Sequence, residues 1–162
     1  MKDPVRLAIG ELYAGGPERE AWILGLGSCL AVALFEPQAK LFSLAHCLLP
    51  EQGTGMPPSS LPAKFVDAGI PAMVAALEGR GGRRAAMMAK LAGGAAMFPV
   101  LGREVRPHIG ERNIETAHRV LRALGIPLAG EEIGGGEGRS VAADPVACSL
   151  RITTLRGGTR VL

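Results

Sequence analysis

The stretch from Ala21 to Cys47 constrains the fold more than any other part of the chain. Residues 22–35 and 40–49 read as two strands. The second alternates Phe42, Leu44, His46 and Leu48 with Leu41, Ser43, Ala45 and Cys47, as a strand with two different faces must. Glu36-Pro37-Gln38-Ala39 between them is a turn with proline at its favoured second position, so the stretch reads as one β-hairpin. Its apolar run, Ala21 to Phe35, is interrupted by Ser28 and is shorter than the roughly 18–20 residues that cross a bilayer. It is a buried segment, with no membrane insertion.

The hairpin brings two chemically competent residues together. A turn centred between Pro37 and Gln38 sets Cys29 directly opposite His46 on one face, with Cβ atoms about 4.5–5.5 Å apart. A thiol is mostly protonated at neutral pH, but a neighbouring imidazolium stabilises the thiolate, so the pair would store a ready nucleophile. Gly27 and Ser28, just before the cysteine, offer a flexible backbone whose N–H groups suit a developing oxyanion. Two other readings stand beside this one. Cys29 and His46 can be ordinary core residues, and a one-residue slip in register would set Cys29 against Cys47, where a disulfide could form under oxidation.

The remainder of the chain supplies a mixed α/β frame. Its 162 residues suit one domain, residues 1–162, and 48% hydrophobic content suffices for a core. Ile70, Met73, Val74 and Leu77 form a helical stripe, with Pro71 in the first turn and Gly79 at the stop. Ile114, Ala117, Leu121 and Leu124 form a second, with Asn113 as its cap or, alternatively, framing the site, and Gly125 at its end. Both helices are expected to cover a sheet. Residues 83–94 mix helix formers with a glycine-rich end and fit either state. Short β-like runs at Ser140–Ala142 and Ser149–Leu155 point to several antiparallel strands.

Composition narrows the function. The net charge is +3, but the nearest approach to a basic cluster, Arg80, Arg83 and Arg84, has no interleaved aromatic, so no nucleic acid is expected as partner. The N-terminus lacks the apolar core of a secretory signal, which points to the cytoplasm. Three cysteines, Cys29, Cys47 and Cys148, in a reducing compartment argue against a disulfide framework. No Cys-x-x-Cys occurs, and His108 and His118 are too far apart in sequence for a zinc pair, so no metal is expected. IGGGEGRS at 133–140 lacks the lysine of a phosphate loop and reads as a turn between two strands; GLGSCL lacks the third glycine of a dinucleotide fingerprint. No cofactor is implied. His108 and His118 read as surface or boundary residues, and Cys47 as packing.

Six segments, in this order, carry a family likeness: LGLGSCLAVALFEP, AHCLLP, KFVDAG, AKLAGGAAMF, IGERNIE and GIPLAGEEIGGGEGRS. Together they resemble the CheD family of chemotaxis proteins from about residue 7 to about residue 155. The resemblance implies a single α/β domain with a mixed, β-sandwich-like core flanked by helices, related to deamidating bacterial toxins, and settles residues 84–92 as strand. It implies deamidation of glutamines on the cytoplasmic helices of methyl-accepting chemoreceptors, with Cys29 as nucleophile, His46 as its partner and a CheC-type phosphatase as a further partner.

Two departures from the family pattern stand out. Ile23 occupies the place, six residues before the cysteine, where the family usually has a threonine that orients the histidine. Phe42-Ser43-Leu44 replaces the usual Gly-Gly-Met. An unoriented imidazole slows catalysis, and Ser28 and Ser43 are the candidates to replace the threonine. Alternatives to the deamidase are a weakly active or inactive binding module for the phosphatase or receptors, and a cysteine peptidase or transglutaminase.

Overall fold

The computed structural model describes residues 1–97 and 108–162. The first five strands are β1 (Val5–Arg6), β2 (Leu12–Gly15), β3 (Ala21–Leu26), β4 (Leu30–Glu36) and β5 (Leu41–Cys47). Helix α1 (Val66–Glu78), strand β6 (Met88–Gly93) and helix α2 (Ile109–Leu124) follow. Strands β7 (Leu128–Ile133), β8 (Arg139–Asp144), β9 (Ser149–Thr154) and β10 (Gly158–Val161) complete the chain. Two five-stranded sheets result, one ordered β1-β3-β8-β9-β10 and the other β2-β5-β4-β6-β7. Most pairs are antiparallel, while β1–β3 and β6–β7 are parallel.

The second sheet is the middle of three layers. Along β4, Ala31, Ala33 and Phe35 face the first sheet and pack with Ile23, Leu26, Val141 and Ile152. Leu30, Val32 and Leu34 face the other way, onto Ile70, Met73 and Leu77 of α1 and Ala117 and Leu121 of α2. All seven β4 residues are buried; a strand covered on both faces needs a continuous apolar run, here residues 30–35, and Glu36 at its end is satisfied by the loop N–H groups of Gln38 and Ala39. The expected α/β class with a sandwich-like core and covering helices is what forms, the two helices lying on one face of the middle sheet.

Several local expectations need correction. Residues 22–35 are not one strand: β3 carries a bulge between Ile23 and Leu26 and ends at Leu26, and Gly27-Ser28-Cys29 carries the chain across to the second sheet, where β4 starts. The run fails to stay in one sheet because its two halves belong to different layers. Residues 84–92 are not all strand either, since Arg84–Ala86 is one 3-10 turn and the strand runs Met88–Gly93. Helix α1 starts at Val66, so Pro71 lies inside it, on its exposed side, instead of in the first turn. Helix α2 starts at Ile109 with His108 at its N-cap, so Asn113 is not a cap; Gly125 ends it in the left-handed conformation as expected. The glycine-rich stretch after Ile133 does join two strands, β7 and β8. Phe98, the last residue of the AKLAGGAAMF segment, lies outside the described residues.

Candidate active site

The hairpin of β4 and β5 closes with a different turn from the one expected. The Glu36 carboxylate accepts the N–H groups of Gln38 and Ala39 at 2.9 and 3.3 Å, Lys40 N–H reaches the Pro37 carbonyl at 3.3 Å, and Lys40 takes a positive φ of 56°. The loop is thus Pro37–Lys40, and Glu36 pairs with Leu41. Moving the turn's centre shifts the register by two residues along the partner strand. Ala31, not Cys29, stands opposite His46, and Leu30 stands opposite Cys47.

A shift of two preserves the face, because side chains alternate with period two. Cys29 and His46 therefore lie on the same side of the middle sheet, one diagonal step apart instead of directly opposed. Such diagonal neighbours are about 7–8 Å apart at the backbone, within reach of a long side chain. Cys29 packs in the inter-sheet core with Ala31 and Leu44, while Cys47 packs on the helix side, so the slipped pairing of Cys29 with Cys47 does not occur. Cys29 and His46 are 8% and 5% exposed.

The crossover Gly27-Ser28-Cys29 is held by its carbonyls. Ala95 N–H donates to the Gly27 carbonyl at 3.0 Å and Gly94 N–H to the Cys29 carbonyl at 2.9 Å. The Ser28 carbonyl accepts the Asn113 side-chain amide at 3.0 Å. Among the described residues, no backbone carbonyl takes the Ser28 or Cys29 N–H. A cavity of about 480 Å³ opens beside them, lined by Gly27, Ser28, Cys29, Met97, His108 and Gly110 among others. His108, half-buried at the N-cap of α2, is one of the lining residues.

The imidazole has a defined partner. His46 Nδ1 lies 3.3 Å from the Leu7 carbonyl oxygen, which can only accept, so Nδ1 carries the hydrogen and Nε2 is left as the basic nitrogen. Leu7 N–H bonds the Trp22 carbonyl at 2.9 Å and extends β1 beside β3, which makes Leu7 the register neighbour of Ile23. A main-chain carbonyl thus stands next to the position where the family pattern has threonine. Ser43 cannot serve there: its hydroxyl donates to the Tyr13 carbonyl at 2.7 Å, and it lies on the opposite face of β5 from His46.

Burial governs the ionisation of the pair. It pushes the Cys29 thiol above its ordinary value, an effect opposed by the thiol's bond to its own backbone N–H. It pushes the His46 imidazole below its ordinary value, opposed by the Leu7 carbonyl and then by the Glu11 carboxylate. At neutral pH the pair therefore rests as thiol and neutral imidazole, not as the stored thiolate and imidazolium expected from the sequence, because burial disfavours both charged forms. Cys47, fully buried, is pushed up to about 12 and is chemically inert. His118 is tied to Glu131 at 2.7 Å, away from this cavity.

The CheD model, described as CheD chemotactic sensory transduction, matches residues 48–154. Curated relatives extend the similarity over Cys29 and His46. The chemoreceptor glutamine deamidase CheD of Halalkalibacterium halodurans is 33% identical over 160 residues, covering 99% of each chain. The probable chemoreceptor glutamine deamidase CheD of Clostridium novyi is 34% identical over 161 residues, covering 99% of each. That of Natronomonas pharaonis is 41% identical over 134 residues, covering 82% of this chain and 78% of its own. Among solved structures, the Bacillus licheniformis hypothetical protein YfiH is similar at a TM-score of 0.45 and 17% identity, covering 75% of this chain and 49% of its own.

Proposed function

The chain belongs to the CheD family, and from that premise we propose that it is a cytoplasmic glutamine deamidase of chemoreceptors working through Cys29 and His46. The observation that carries the proposal is a cysteine and a histidine on one face of the middle sheet, with Cys29 among the residues that line a cavity. The oriented tautomer of His46 and the Ser28 and Cys29 N–H groups, which no backbone carbonyl takes among the described residues, support it.

The chemistry follows from the resting protonation state. His46 Nε2 takes the Cys29 proton as Sγ attacks the side-chain carbonyl carbon of the substrate glutamine, so the thiolate forms only as it is used. The C=O electron pair moves to oxygen, where the backbone N–H groups of Ser28 and Cys29 receive it. The C–N bond then breaks, and ammonia leaves with the proton held by His46. His46 next deprotonates a water, which attacks the thioester, and glutamate is released as Sγ regains its proton. A neutral amide on a receptor helix becomes a carboxylate, and the released nitrogen accounts for the balance.

The proposed partners are the cytoplasmic helices of methyl-accepting chemoreceptors and a CheC-type phosphatase. Among the described residues no helix is long and apolar enough to cross a membrane. The test is mass spectrometry of receptor cytoplasmic fragments incubated with wild type, Cys29→Ala and His46→Ala. A gain of about one mass unit at particular glutamines, absent with either variant, is the expected result. Unchanged glutamines with phosphatase binding intact would favour a binding module, and cleaved peptide would favour a protease.

A further inference from the structure

Asn113 is the chain's only asparagine, and it is fully buried on the apolar side of α2. Its amide nitrogen donates twice, to the Ser28 carbonyl at 3.0 Å and to the Leu48 carbonyl at 3.1 Å. Ser28 immediately precedes Cys29, and Leu48 lies two residues beyond His46. One side chain from a third element therefore joins the two backbone segments that carry the thiol and the imidazole. Its Oδ1 is buried with no partner. A buried acceptor left unpaired opposes folding, so stability alone does not account for a carboxamide here.

The first of these bonds has a directional consequence. In a trans peptide the C=O and the N–H point to opposite sides, and the described chain has no cis bond. Holding the Ser28 carbonyl toward α2 aims the Cys29 N–H away from it. The second bond holds the end of the β5 segment, where Leu48 has left the ladder and its own N–H goes to the Lys64 carbonyl at 3.0 Å. Through Asn113 it ties this segment to the Ser28 carbonyl just beyond the last ladder pair, Leu30 with Cys47.

We propose that Asn113 is a positioning residue, whose two amide hydrogens lock the Ser28 and Leu48 carbonyls and so set the Cys29 N–H and thiol relative to His46. The proposal rests on Cys29 and His46 being the reacting pair. Asn113 touches neither the substrate cavity nor the thiol and acts through the backbone it holds.

The experiment compares wild type, Cys29→Ala, Asn113→Leu and Asn113→Asp on a purified chemoreceptor cytoplasmic fragment, with ammonia release giving kcat and KM and thermal melts giving the folded fraction. Both Asn113 variants are expected to lose about 100-fold in kcat per folded molecule, the size of one misplaced oxyanion donor, with KM held within about twofold. A kcat close to wild type in a folded Asn113 variant, with Cys29→Ala inactive, would overturn the positioning role and leave the thiol's role standing. Activity surviving in Cys29→Ala would instead overturn the thiol's role, and this proposal with it. A wild-type measurement covers the case in which neither variant folds. The Asn113 side-chain amide protons, held by two carbonyls, should exchange with solvent many times more slowly than those of the exposed Gln38, and equal exchange would overturn the proposal.

Discussion

His46 shows how one residue's environment sets its chemistry. It sits almost wholly inside the sandwich, which disfavours the imidazolium, and its Nδ1–H is committed to the Leu7 carbonyl. A base must be neutral to act, and burial lowers the pH at which this one becomes protonated. The acid limb of kcat/KM should accordingly have its midpoint below pH 6.5, the ordinary imidazole value, with activity maintained through neutrality. A midpoint above pH 7 would contradict a desolvated neutral base. The sign for stability is the same: as pH falls through 6.5 the unfolded chain takes the proton before the folded one, so folding weakens toward acid. The substitution of Ile23 for the usual threonine also has a physical reading at this scale. Ile23 is fully buried between the sheets, and it is the main-chain carbonyl of the neighbouring Leu7 that lies against His46 Nδ1.

Between elements, the decisive approach is that of α2 to the end of β6. A Cβ on Gly110, in the first turn of α2, would meet the Gly94 carbonyl oxygen at 2.4 Å and the Ala95 oxygen at 2.8 Å. Gly94 has φ +67°, and a Cβ there would meet Ile114 at 2.6 Å. Two glycines thus let helix and strand backbones touch, and that contact sets the depth at which Asn113 reaches Ser28. Gly110→Ala should push α2 outward. The expected cost is about 1–3 kcal/mol of stability, read by denaturant unfolding, with a drop in deamidation beyond what the folded fraction explains. Wild-type stability and activity in that variant would show that the helix has room to spare. The hairpin turn makes the complementary point, since the Glu36 carboxylate binding two loop N–H groups selected a four-residue loop and so the register of the whole ladder.

At the scale of the molecule, the middle sheet is shared by two cores, one against the other sheet and one against the helices. Phe42 shows how the inter-sheet core is tied together, packing with Phe35 at 6.3 Å and Tyr13 at 5.7 Å between ring centres. Neither outer layer has an apolar face buried without the middle one, so the layers are expected to unfold together. The single tryptophan, Trp22, lies on β3 in the first sheet, while the helices lie on the far side of the second. Denaturation followed by Trp22 fluorescence and by helical circular dichroism should give coincident transitions. Separated midpoints would mean that residues 1–162 do not form one cooperative unit.

Much of this was legible in the order of the residues. Alternation in 40–49 assigns His46 and Cys47 to opposite faces, the helical stripes mark what covers the sheet, and parity keeps Cys29 and His46 on one side even when the turn is misplaced, because a two-residue shift leaves faces unchanged. Asn113 also carried a signal: it stands four residues before Ala117, on the buried stripe itself, where a polar side chain must find partners inside. Other features depended on contacts between distant segments. That residues 22–35 divide between two sheets at Gly27-Ser28-Cys29, that Leu7 offers its carbonyl to His46, and that α2 lies close enough for Asn113 to reach Ser28 are matters of layer packing and main-chain direction. Local sequence determines which face a side chain takes, since that follows from backbone period alone. Which remote backbone oxygen or N–H meets it is decided only when the layers close, since every residue but proline carries the same donor and acceptor and no residue type marks the one that will be used.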